Sequence, residues 1–213
     1  IDAGYTEAKP LIIVDGKPII EHVCNLFPGE EKFTFICNAK HLSETNMRAV
    51  LKSIKPNANI VEIPNHKKGP VYAVSLLNDL IDNDEELFIS DSDHYIQWNK
   101  TQFNEKIRTQ LIDACVFVFP GKQKSSHFSY VRTNEENYVV EASEKIPISE
   151  TAACGIHYYK KGSDFVKYAK KMIEKNIRFN NEFYVTPVYN EFIKDNKKIL
   201  TFPIIKKWAL GSP

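Results

Sequence analysis

The sequence lacks the features that mark several common classes of protein. No apolar run approaches the ~20 residues that a membrane-spanning helix needs. The 28 Lys and Arg residues nearly cancel the 27 Asp and Glu residues, so no overall field favours a nucleic acid or an anionic membrane. There is no G-x-S-x-G element, no Walker lysine pattern and no His or Cys pair with zinc-site spacing. We therefore expect neither nucleic acid nor membrane among the partners, and any anion site must be local.

Cysteine is scarce and widely spaced, with four residues and no C-x-x-C pair. Cys24, Cys37 and Cys115 lie among apolar neighbours, which is typical of buried, reduced thiols. Reduced thiols indicate a cytoplasmic protein. At 213 residues, the chain is long enough to bury a sizeable core as one domain or as a compact two-lobed one.

Short apolar segments alternate with amphipathic ones through the first part of the chain. Segments 87–90 and 115–119 have the composition of buried strands, and 71–80 has apolar residues at helical spacing. This β-α-β-α order predicts an α/β fold with a doubly wound, Rossmann-like, mixed and mostly parallel sheet. We interpret the chain as a single domain whose first part spans residues 1–120.

The pattern changes after Pro120. Two alternating segments, 128–132 and 138–141, are separated by polar residues and predict an antiparallel hairpin. Ser163 is predicted to cap a helix that continues to residue 174. Residues 121–213 therefore form a smaller α+β part laid against the first.

Two carboxylates directly follow the predicted strand 87–90. In doubly wound sheets, ligands bind beyond the carboxyl ends of the strands. Asp91 and Asp93 can present oxygen ligands to Mg²⁺, which takes one or two carboxylates plus substrate phosphates at ~2.0–2.1 Å. The alternative is an acidic loop with a helix-capping role. The segment is therefore a candidate metal site.

Six motifs between Lys9 and Pro213 resemble, in type and order, those of the nucleotidyltransferases that make nucleotide sugars. The first is the K-P-L element at 9–11, followed by G-K-P at 16–18. In that family the lysine reaches the phosphates of the incoming nucleotide, where a cation is needed to neutralise charge. The resemblance implies a nucleotide-binding and catalytic role for Lys9 and a GT-A-like nucleotidyltransferase fold.

Segment 89–95 resembles the family's L-[IV]-x-x-x-D-Q/H-[YF] element. Aligning Tyr95 places Asp93 at the family's metal position. The resemblance therefore implies Mg²⁺ (or Mn²⁺) as the cofactor, with Asp93 as its ligand. Asp91 is a weaker candidate in the nucleotide-binding set, and His94 lines the same site.

A G-[GPQ]-x-x-A stretch lies between these two motifs, at 69–73. In the family it lies beside the nucleotide base, which implies nucleotide-binding roles for Gly69, Pro70 and Ala73. Gly69 allows close approach of the backbone, and the start of the helix offers N–H groups. Without the resemblance, the stretch would be an ordinary turn between a strand and a helix.

Three later motifs resemble the family's acceptor pocket. The V-x-E-x-x-E-K element at 139–145 implies that Glu144 bonds an acceptor hydroxyl and that Lys145, a catalytic candidate, holds the acceptor phosphate. A G-I-[YH]-x-[FY] strand gives room for the acceptor at Gly155. The N-x-E-[FY]-Y segment from 180 lets Glu182 reach the acceptor, whereas its tyrosines are assigned to packing.

The two ends of the chain depart from the family pattern. Many relatives have an Asp, as a second metal ligand, where this chain has Leu210, and the W-x-L-G-S-P ending resembles the W-x-L-G-T-P variant of a capsule or lipopolysaccharide branch. The family also has a Gly-rich loop, roughly G-x-G-x-R-[FL], before K-P-L. We expect about 15–30 further residues upstream, with a strand and that loop.

These motifs predict an NTP-dependent nucleotidyltransferase (a pyrophosphorylase) of surface polysaccharide precursor synthesis. The acceptor phosphate attacks the α-phosphorus of an NTP and pyrophosphate leaves, with catalysis by positioning and charge neutralisation. The acceptor is a sugar 1-phosphate or, by cytidylyl transfer, a non-sugar phosphate. Residues 1–120 are then the nucleotide-binding part and 121–213 the acceptor-binding part. Two alternatives stay open: a GT-A glycosyltransferase that uses Asp91 and Asp93, and an inactive relative. Base preference and a homo-oligomeric state also stay open.

Overall fold

The computed structural model describes residues 7–121 and 125–210, and the chain divides into two compact units. Among the described residues, the first unit comprises residues 7–66, Asp91–Gln97 and 207–210, and the second comprises the remainder. None of the helices formed by these residues has the length and apolar character that crossing a membrane requires.

The regular elements alternate between helix and strand along most of the chain. The helices are α1 (Ile19–Cys24), α2 (Ala39–Glu44), α3 (Met47–Ile54), α4 (Pro70–Ser75), α5 (Asn78–Ile81), α6 (Lys100–Thr109), α7 (Gly162–Glu174) and α8 (Tyr189–Lys194). The strands are β1 (Ile13–Val14), β2 (Lys17–Pro18), β3 (Thr34–Asn38), β4 (Asn59–Ile63), β5 (Leu87–Ser90), β6 (His94–Gln97), β7 (Ala114–Pro120), β8 (Ser129–Thr133), β9 (Val139–Glu144), β10 (Thr151–Tyr159), β11 (Ile199–Pro203) and β12 (Lys206–Ala209). Two short 3-10 turns lie at Lys9–Leu11 and Thr186–Val188.

The first unit contains three two-stranded pairings. β3 and β4 are parallel, β1 and β2 form a short antiparallel hairpin, and β6 pairs with β12. The hairpin turns at Asp15 and Gly16, which both have positive φ (47° and 77°), as a two-residue turn of this kind requires. The K-P-L element forms a 3-10 turn, and Pro10, with its fixed φ and no amide hydrogen, suits the first turn of such an element.

The second unit is built on a six-stranded sheet. Its order is β11-β7-β10-β8-β9, and β5 pairs with β10 as well. β5, β7, β8 and β11 run in one direction, while β9 and β10 run in the other. The predicted α/β class and mixed, mostly parallel strand directions are confirmed. Because β10 runs opposite to the strands beside it, most pairs of hydrogen-bonded strands are antiparallel. The sequence pattern did not predict this.

The core of the second unit is aromatic. The rings of Tyr159, Phe165, Tyr168, Tyr189 and Phe192, all at most 1% exposed, join β10 to α7 and α8. Four pairs of these rings lie 5.0–6.2 Å apart between centroids, within the range of favourable edge and offset contacts, and the Tyr168 and Phe192 rings lie closer, at 4.1 Å.

All four cysteines are buried and free, and the predicted burial of Cys24, Cys37 and Cys115 is confirmed. Burial raises the pKa of Cys24 to about 11. Burial also raises the pKa of Cys37 and, more strongly, that of Cys115. These thiols therefore stay protonated and pack as small apolar groups.

Two local predictions are wrong in detail. The helix predicted at 71–80 is divided into α4 and α5, and the Ser75 hydroxyl at the break donates to the Tyr72 carbonyl (2.8 Å), a contact that competes with helical bonding. Ser163 does not cap α7, which begins at Gly162 after Lys161. Its hydroxyl instead bonds a carboxylate oxygen of Asp84 (3.4 Å). The predicted hairpin at 128–141 is confirmed as β8 and β9.

Candidate functional site

In the first unit, Lys9 and Asp93 meet although 84 residues separate them along the chain. The Lys9 Nζ atom lies 3.1 Å from Asp93 Oδ2. The Asp93 side chain is 24% exposed and that of Lys9 is 52% exposed. A cation and a half-buried carboxylate thus stand side by side at an accessible position.

Asp91 and His94 complete what we call the carboxylate cluster: Lys9, Asp91, Asp93 and His94. His94 Nδ1 is 3.5 Å from Asp91 Oδ2, and His94 Nε2 is 3.6 Å from Asp93 Oδ1. Asp91, Asp93 and His94 each offer one ligand atom, and these three atoms lie within 4.8 Å of one another. Two carboxylates and an imidazole form a donor set that suits a divalent cation, so these residues fit the metal that the resemblance implies.

The neighbouring chain segments hold this cluster in place. Leu210 donates its backbone N–H to the Asp93 carbonyl (3.1 Å), and the Tyr95 ring packs between His22 (5.6 Å) and Trp208 (5.3 Å). The late segment therefore lies beside Asp93 at Leu210, which has an apolar side chain. The remaining residues of the predicted ending, 211–213, lie outside the described part of the chain.

A second cluster lies in the second unit, and we call Glu144, Lys145, Glu182 and Tyr184 the lysine–tyrosine cluster. Lys145 donates from Nζ to the Tyr184 hydroxyl (2.9 Å), which donates in turn to Glu182. The Lys145 ammonium also lies 4.5 Å from the centroid of the Tyr184 ring and 5.7 Å from that of Phe179. These contacts fix the position of a long, flexible side chain.

The backbone at Lys145 is itself unusual. Its φ of 57° lies in the left-handed region, which is uncommon for a residue with a side chain and costs about 1–3 kcal/mol. The backbone N–H donates to the Phe128 carbonyl (3.0 Å), which holds this conformation in place. The strain directs Lys145 away from the regular path of β9.

The charges in this cluster are strongly influenced by their surroundings. The hydrogen bond with Tyr184 raises the pKa of Lys145, so the ammonium stays charged throughout the neutral range. Burial raises the pKa of Glu144, which is 6% exposed and accepts a hydrogen bond from Ser129. Burial and the hydrogen bond to Glu182 raise the pKa of Tyr184. The cluster thus offers one ammonium group that stays charged and can bind an anion. It also offers carboxylates that accept hydrogen bonds.

Gly69 lies directly against the segment that carries Glu182. Its φ is 86°, and a Cβ atom there would lie 2.7 Å from the Phe183 N and O atoms and 2.9 Å from Glu182 Cβ. The Phe183 N–H donates to the Lys68 carbonyl (2.8 Å), and the Val71 N–H donates to the Phe183 carbonyl (3.0 Å). One N–H at the start of α4 is therefore bonded within the protein rather than available to a ligand.

Gly155 also has positive φ, at 84°. It lies where the register of β10 against β7 shifts, between Ala153 and His157, so it lies at an irregularity in the strand pairing. Pro70 and Ala73 lie half-buried on α4. The suggested roles of these three residues still rest on the resemblance.

The structure thus brings the predicted residues together in two groups, one in each unit. Lys9, Asp91 and Asp93 meet in the first, and Gly69, Glu144, Lys145 and Glu182 lie close together in the second. Sequence reasoning missed the part played by Tyr184, whose hydroxyl joins Lys145 to Glu182. No signal in the sequence could reveal it, because 39 residues separate the tyrosine from the lysine.

No protein-family model matches the chain, and no curated protein matches it significantly. Similarity appears at the level of the fold, with solved structures of pyrophosphorylases and nucleotidyltransferases. The nucleoside-diphosphate-sugar pyrophosphorylase from Vibrio cholerae RC9 superposes with a TM-score of 0.79 at 19% identity, covering 100% of this chain and 91% of that one.

Two further structures extend the comparison. The inositol-1-phosphate CTP transferase from T. maritima gives a TM-score of 0.73 at 13% identity, covering 100% of this chain and 84% of that chain. A UDP-glucose pyrophosphorylase complexed with UDP-glucose gives 0.73 at 18% identity, covering 96% and 85%. At these identities the likeness establishes a shared fold, and the predicted nucleotidyltransferase-type fold is confirmed.

Proposed function

We propose that the protein is an NTP-dependent nucleotidyltransferase that transfers an NMP group to a phosphorylated small molecule and releases pyrophosphate. The observation that carries the proposal is the Lys9–Asp93 pair, at 3.1 Å. Phosphoryl and nucleotidyl transfers depend on a cation and a metal ion that act on the same phosphates. The fold likeness to pyrophosphorylases and a CTP transferase supports the same class of reaction.

In this proposal the carboxylate cluster handles the triphosphate. Asp93 holds Mg²⁺ (or Mn²⁺), with Asp91 beside it, and the ion when bound supplies positive charge to the phosphates. Lys9 lies at the outer oxygen of Asp93 and is half exposed, so its ammonium can bind the phosphates of the NTP. Gly69, Pro70 and Ala73 are assigned to the nucleotide base, as the resemblance implies.

The lysine–tyrosine cluster receives the acceptor. Lys145 binds the acceptor phosphate, whose negative charge its ammonium matches, while Glu144 and Glu182 accept hydrogen bonds from acceptor hydroxyls. Gly155 leaves room for the acceptor. This donor set suits a sugar 1-phosphate or a comparable non-sugar phosphate. We further propose a cytoplasmic role in surface polysaccharide precursor synthesis, with residues 1–120 serving the nucleotide and 121–213 the acceptor.

The direct test is pyrophosphate release by the purified protein. CTP, UTP and dTTP are each supplied with Mg²⁺ or Mn²⁺ and with a panel of sugar 1-phosphates and phosphocholine. We expect release only when one NTP and one acceptor are both present. Asp91 and Asp93 also suit a glycosyltransferase, which would consume a nucleotide sugar and release no pyrophosphate. An inactive relative would neither release pyrophosphate nor consume a nucleotide sugar.

The two clusters predict that nucleotide and acceptor binding can be weakened separately. Lys9→Ala should raise the KM for NTP, whereas Lys145→Ala should mainly raise the KM for the acceptor. Each lost charge-assisted contact costs about 1.5–3 kcal/mol, or roughly ten- to hundredfold. Initial-rate kinetics in both substrates provide the measurement.

Lys40→Ala and Lys170→Ala serve as matched controls, because the side chains of these lysines are 65% and 71% exposed and each forms an ion pair with a helical glutamate four residues on. Both should leave the kinetics unchanged. Equal effects of Lys145→Ala on the two substrates would contradict its assignment to the acceptor.

Tyr184→Phe should raise the KM for the acceptor about tenfold while kcat and the KM for NTP change little, because it removes the hydroxyl that positions Lys145 and Glu182. The hydrogen bond raises the pKa of Lys145, so its loss should lower that pKa. The acceptor KM of the variant should therefore start to rise at a lower alkaline pH than in the wild type. Tyr138→Phe makes the same chemical change on the β8–β9 hairpin and should shift neither quantity. If Tyr184→Phe leaves the acceptor KM and its pH profile unaltered, this tyrosine contributes only to packing.

A further inference from the structure

We propose that His94 is a metal ligand through Nε2, oriented by Asp91 at its Nδ1, so that the centre beside Asp93 binds Mn²⁺ in preference to Mg²⁺. The inference rests on the proposed metal site at Asp93 and adds to it a nitrogen ligand and an ion preference. Asp91 then acts as a positioning residue rather than as a ligand.

The first argument is that the two oxygens of Asp93 have different neighbours. Oδ2 faces the Lys9 ammonium at 3.1 Å, and Oδ1 faces His94 Nε2 at 3.6 Å. An ion can therefore bind at Oδ1 without displacing Lys9. Lys9 then remains beside the ion, where it can contact the same phosphates.

The second argument is the separation of Oδ1 and Nε2. Two ligands that each lie about 2.1 Å from one ion are roughly 3.0–3.6 Å apart when the angle between them is about 90–120°. The 3.6 Å separation in this structure falls at the upper end of that range. The two atoms are therefore already at the spacing of adjacent ligands, and only a small movement is needed to bind an ion.

The third argument concerns the opposite edge of the imidazole. Nδ1 lies 3.5 Å from Asp91 Oδ2, a few tenths of an ångström beyond a usual N–H···O contact at about 2.7–3.2 Å. Histidines that bind metals donate their other ring N–H to a carboxylate or carbonyl, which fixes the tautomer and the ring orientation. Asp91, His94 and Asp93 have the heavy-atom arrangement that this pattern requires, with Nδ1 facing Asp91 and Nε2 facing Asp93. In the proposal the ring proton is at Nδ1, which leaves the lone pair of Nε2 for the ion.

A nitrogen ligand changes which ion the centre favours. Mg²⁺ prefers oxygen ligands in near-ideal octahedral geometry and gives up water reluctantly. Imidazole suits first-row transition ions such as Fe²⁺ and Zn²⁺. Mn²⁺ begins that series and also accepts carboxylate ligands, so one imidazole beside Asp93 favours it over Mg²⁺. A centre built on Asp93 alone would show little such preference, so the ion preference reports on His94.

The test is Mn²⁺ binding, with Mn²⁺ alone as the probe, followed by electron paramagnetic resonance. In the wild-type protein, pulsed spectra should show coupling to a directly bound imidazole nitrogen. His94→Leu should abolish that coupling and weaken Mn²⁺ binding at least about tenfold, while Mg²⁺ binding changes less than about threefold. Asp91→Asn should keep the coupling and weaken Mn²⁺ binding less. His41→Gln, an exposed histidine on α2, is the matched control and should change nothing.

Bound Mn²⁺ without nitrogen coupling in the wild-type protein would overturn the proposal and would fit an imidazolium that simply bridges the two carboxylates. Thermal unfolding of each variant verifies that the fold is retained, and the wild-type spectrum decides the matter even if His94→Leu is unstable. Pyrophosphate release is measured in parallel. Release that depends on Asp93, with no nitrogen coupling, removes His94 as a ligand and leaves the proposed function intact.

Discussion

Asp93→Asn is expected to lower the rate of pyrophosphate release by roughly two to three orders of magnitude, the usual cost of losing a group that stabilises charge in the transition state. The amide keeps the shape of the side chain but loses the negative charge that attracts both the metal and Lys9. Folding should survive, because the lost Lys9 contact is half exposed, and such surface pairs contribute about 0–1 kcal/mol. Steady-state rates and thermal unfolding of the same preparation separate the two effects.

Asp91→Asn is the matched control for this prediction, because it makes the same change two residues away on the same loop. Asp91 Oδ2 lies against His94, whereas the Lys9 ammonium lies at Asp93, so the loss of the Asp91 charge should be milder. If Asp91→Asn is the more damaging change, the two roles are reversed. Near-normal turnover by Asp93→Asn would remove the carboxylate cluster from the proposed reaction altogether.

Local pattern predicted several strands of this fold, since apolar runs and alternating segments can be read directly from the sequence. Strand β5 occupies the predicted residues 87–90, and the hairpin β8–β9 lies where alternation placed it. The order of strands in the sheet was not predictable in the same way. β10 is apolar like its neighbours, and nothing in its composition records that it runs in reverse between β5 and β7.

The candidate site, like the order of the strands, could be predicted only in part from the sequence. Motif order led to Lys9 and Asp93 separately, and the structure adds that the two are in contact, at 3.1 Å across 84 residues. The approach of His94 to both carboxylates depends on side-chain rotation on β6, and that of Tyr184 to Lys145 depends on the path of a loop. Such contacts arise from tertiary packing, so only the structure could supply them.

Gly69→Ala is expected to destabilise the protein by about 2–4 kcal/mol, which combines the strain of positive φ with a steric clash. The φ of 86° is unfavourable for alanine, and the new Cβ would lie 2.7 Å from backbone atoms of Phe183. Those backbone atoms cannot move independently, because the Phe183 N–H and C=O are bonded to Lys68 and Val71. The segment must therefore shift as a whole, which urea unfolding measures as a loss of stability.

Gly16→Ala separates the two contributions. Gly16 has a similar φ of 77°, but nothing lies within 4 Å of the Cβ position there, so this variant carries strain without a clash. Its cost should be about 1–2 kcal/mol, and its kinetics should match the wild type. If Gly69→Ala lowers the free energy of unfolding no more than Gly16→Ala does, the Phe183 segment can shift away from the new Cβ atom without a measurable loss of stability.

The kinetic effect of Gly69→Ala should follow from where the clash falls. Phe183 lies between Glu182 and Tyr184, the two residues that join the lysine–tyrosine cluster to this segment. A displaced Phe183 backbone moves both, so the acceptor KM should rise more than the NTP KM, by roughly tenfold if one charged hydrogen bond is lost. The resemblance instead assigns Gly69 to the nucleotide base, which predicts that the NTP KM rises more. Initial-rate kinetics in both substrates, at a temperature where the variant remains folded, decide which substrate Gly69 supports.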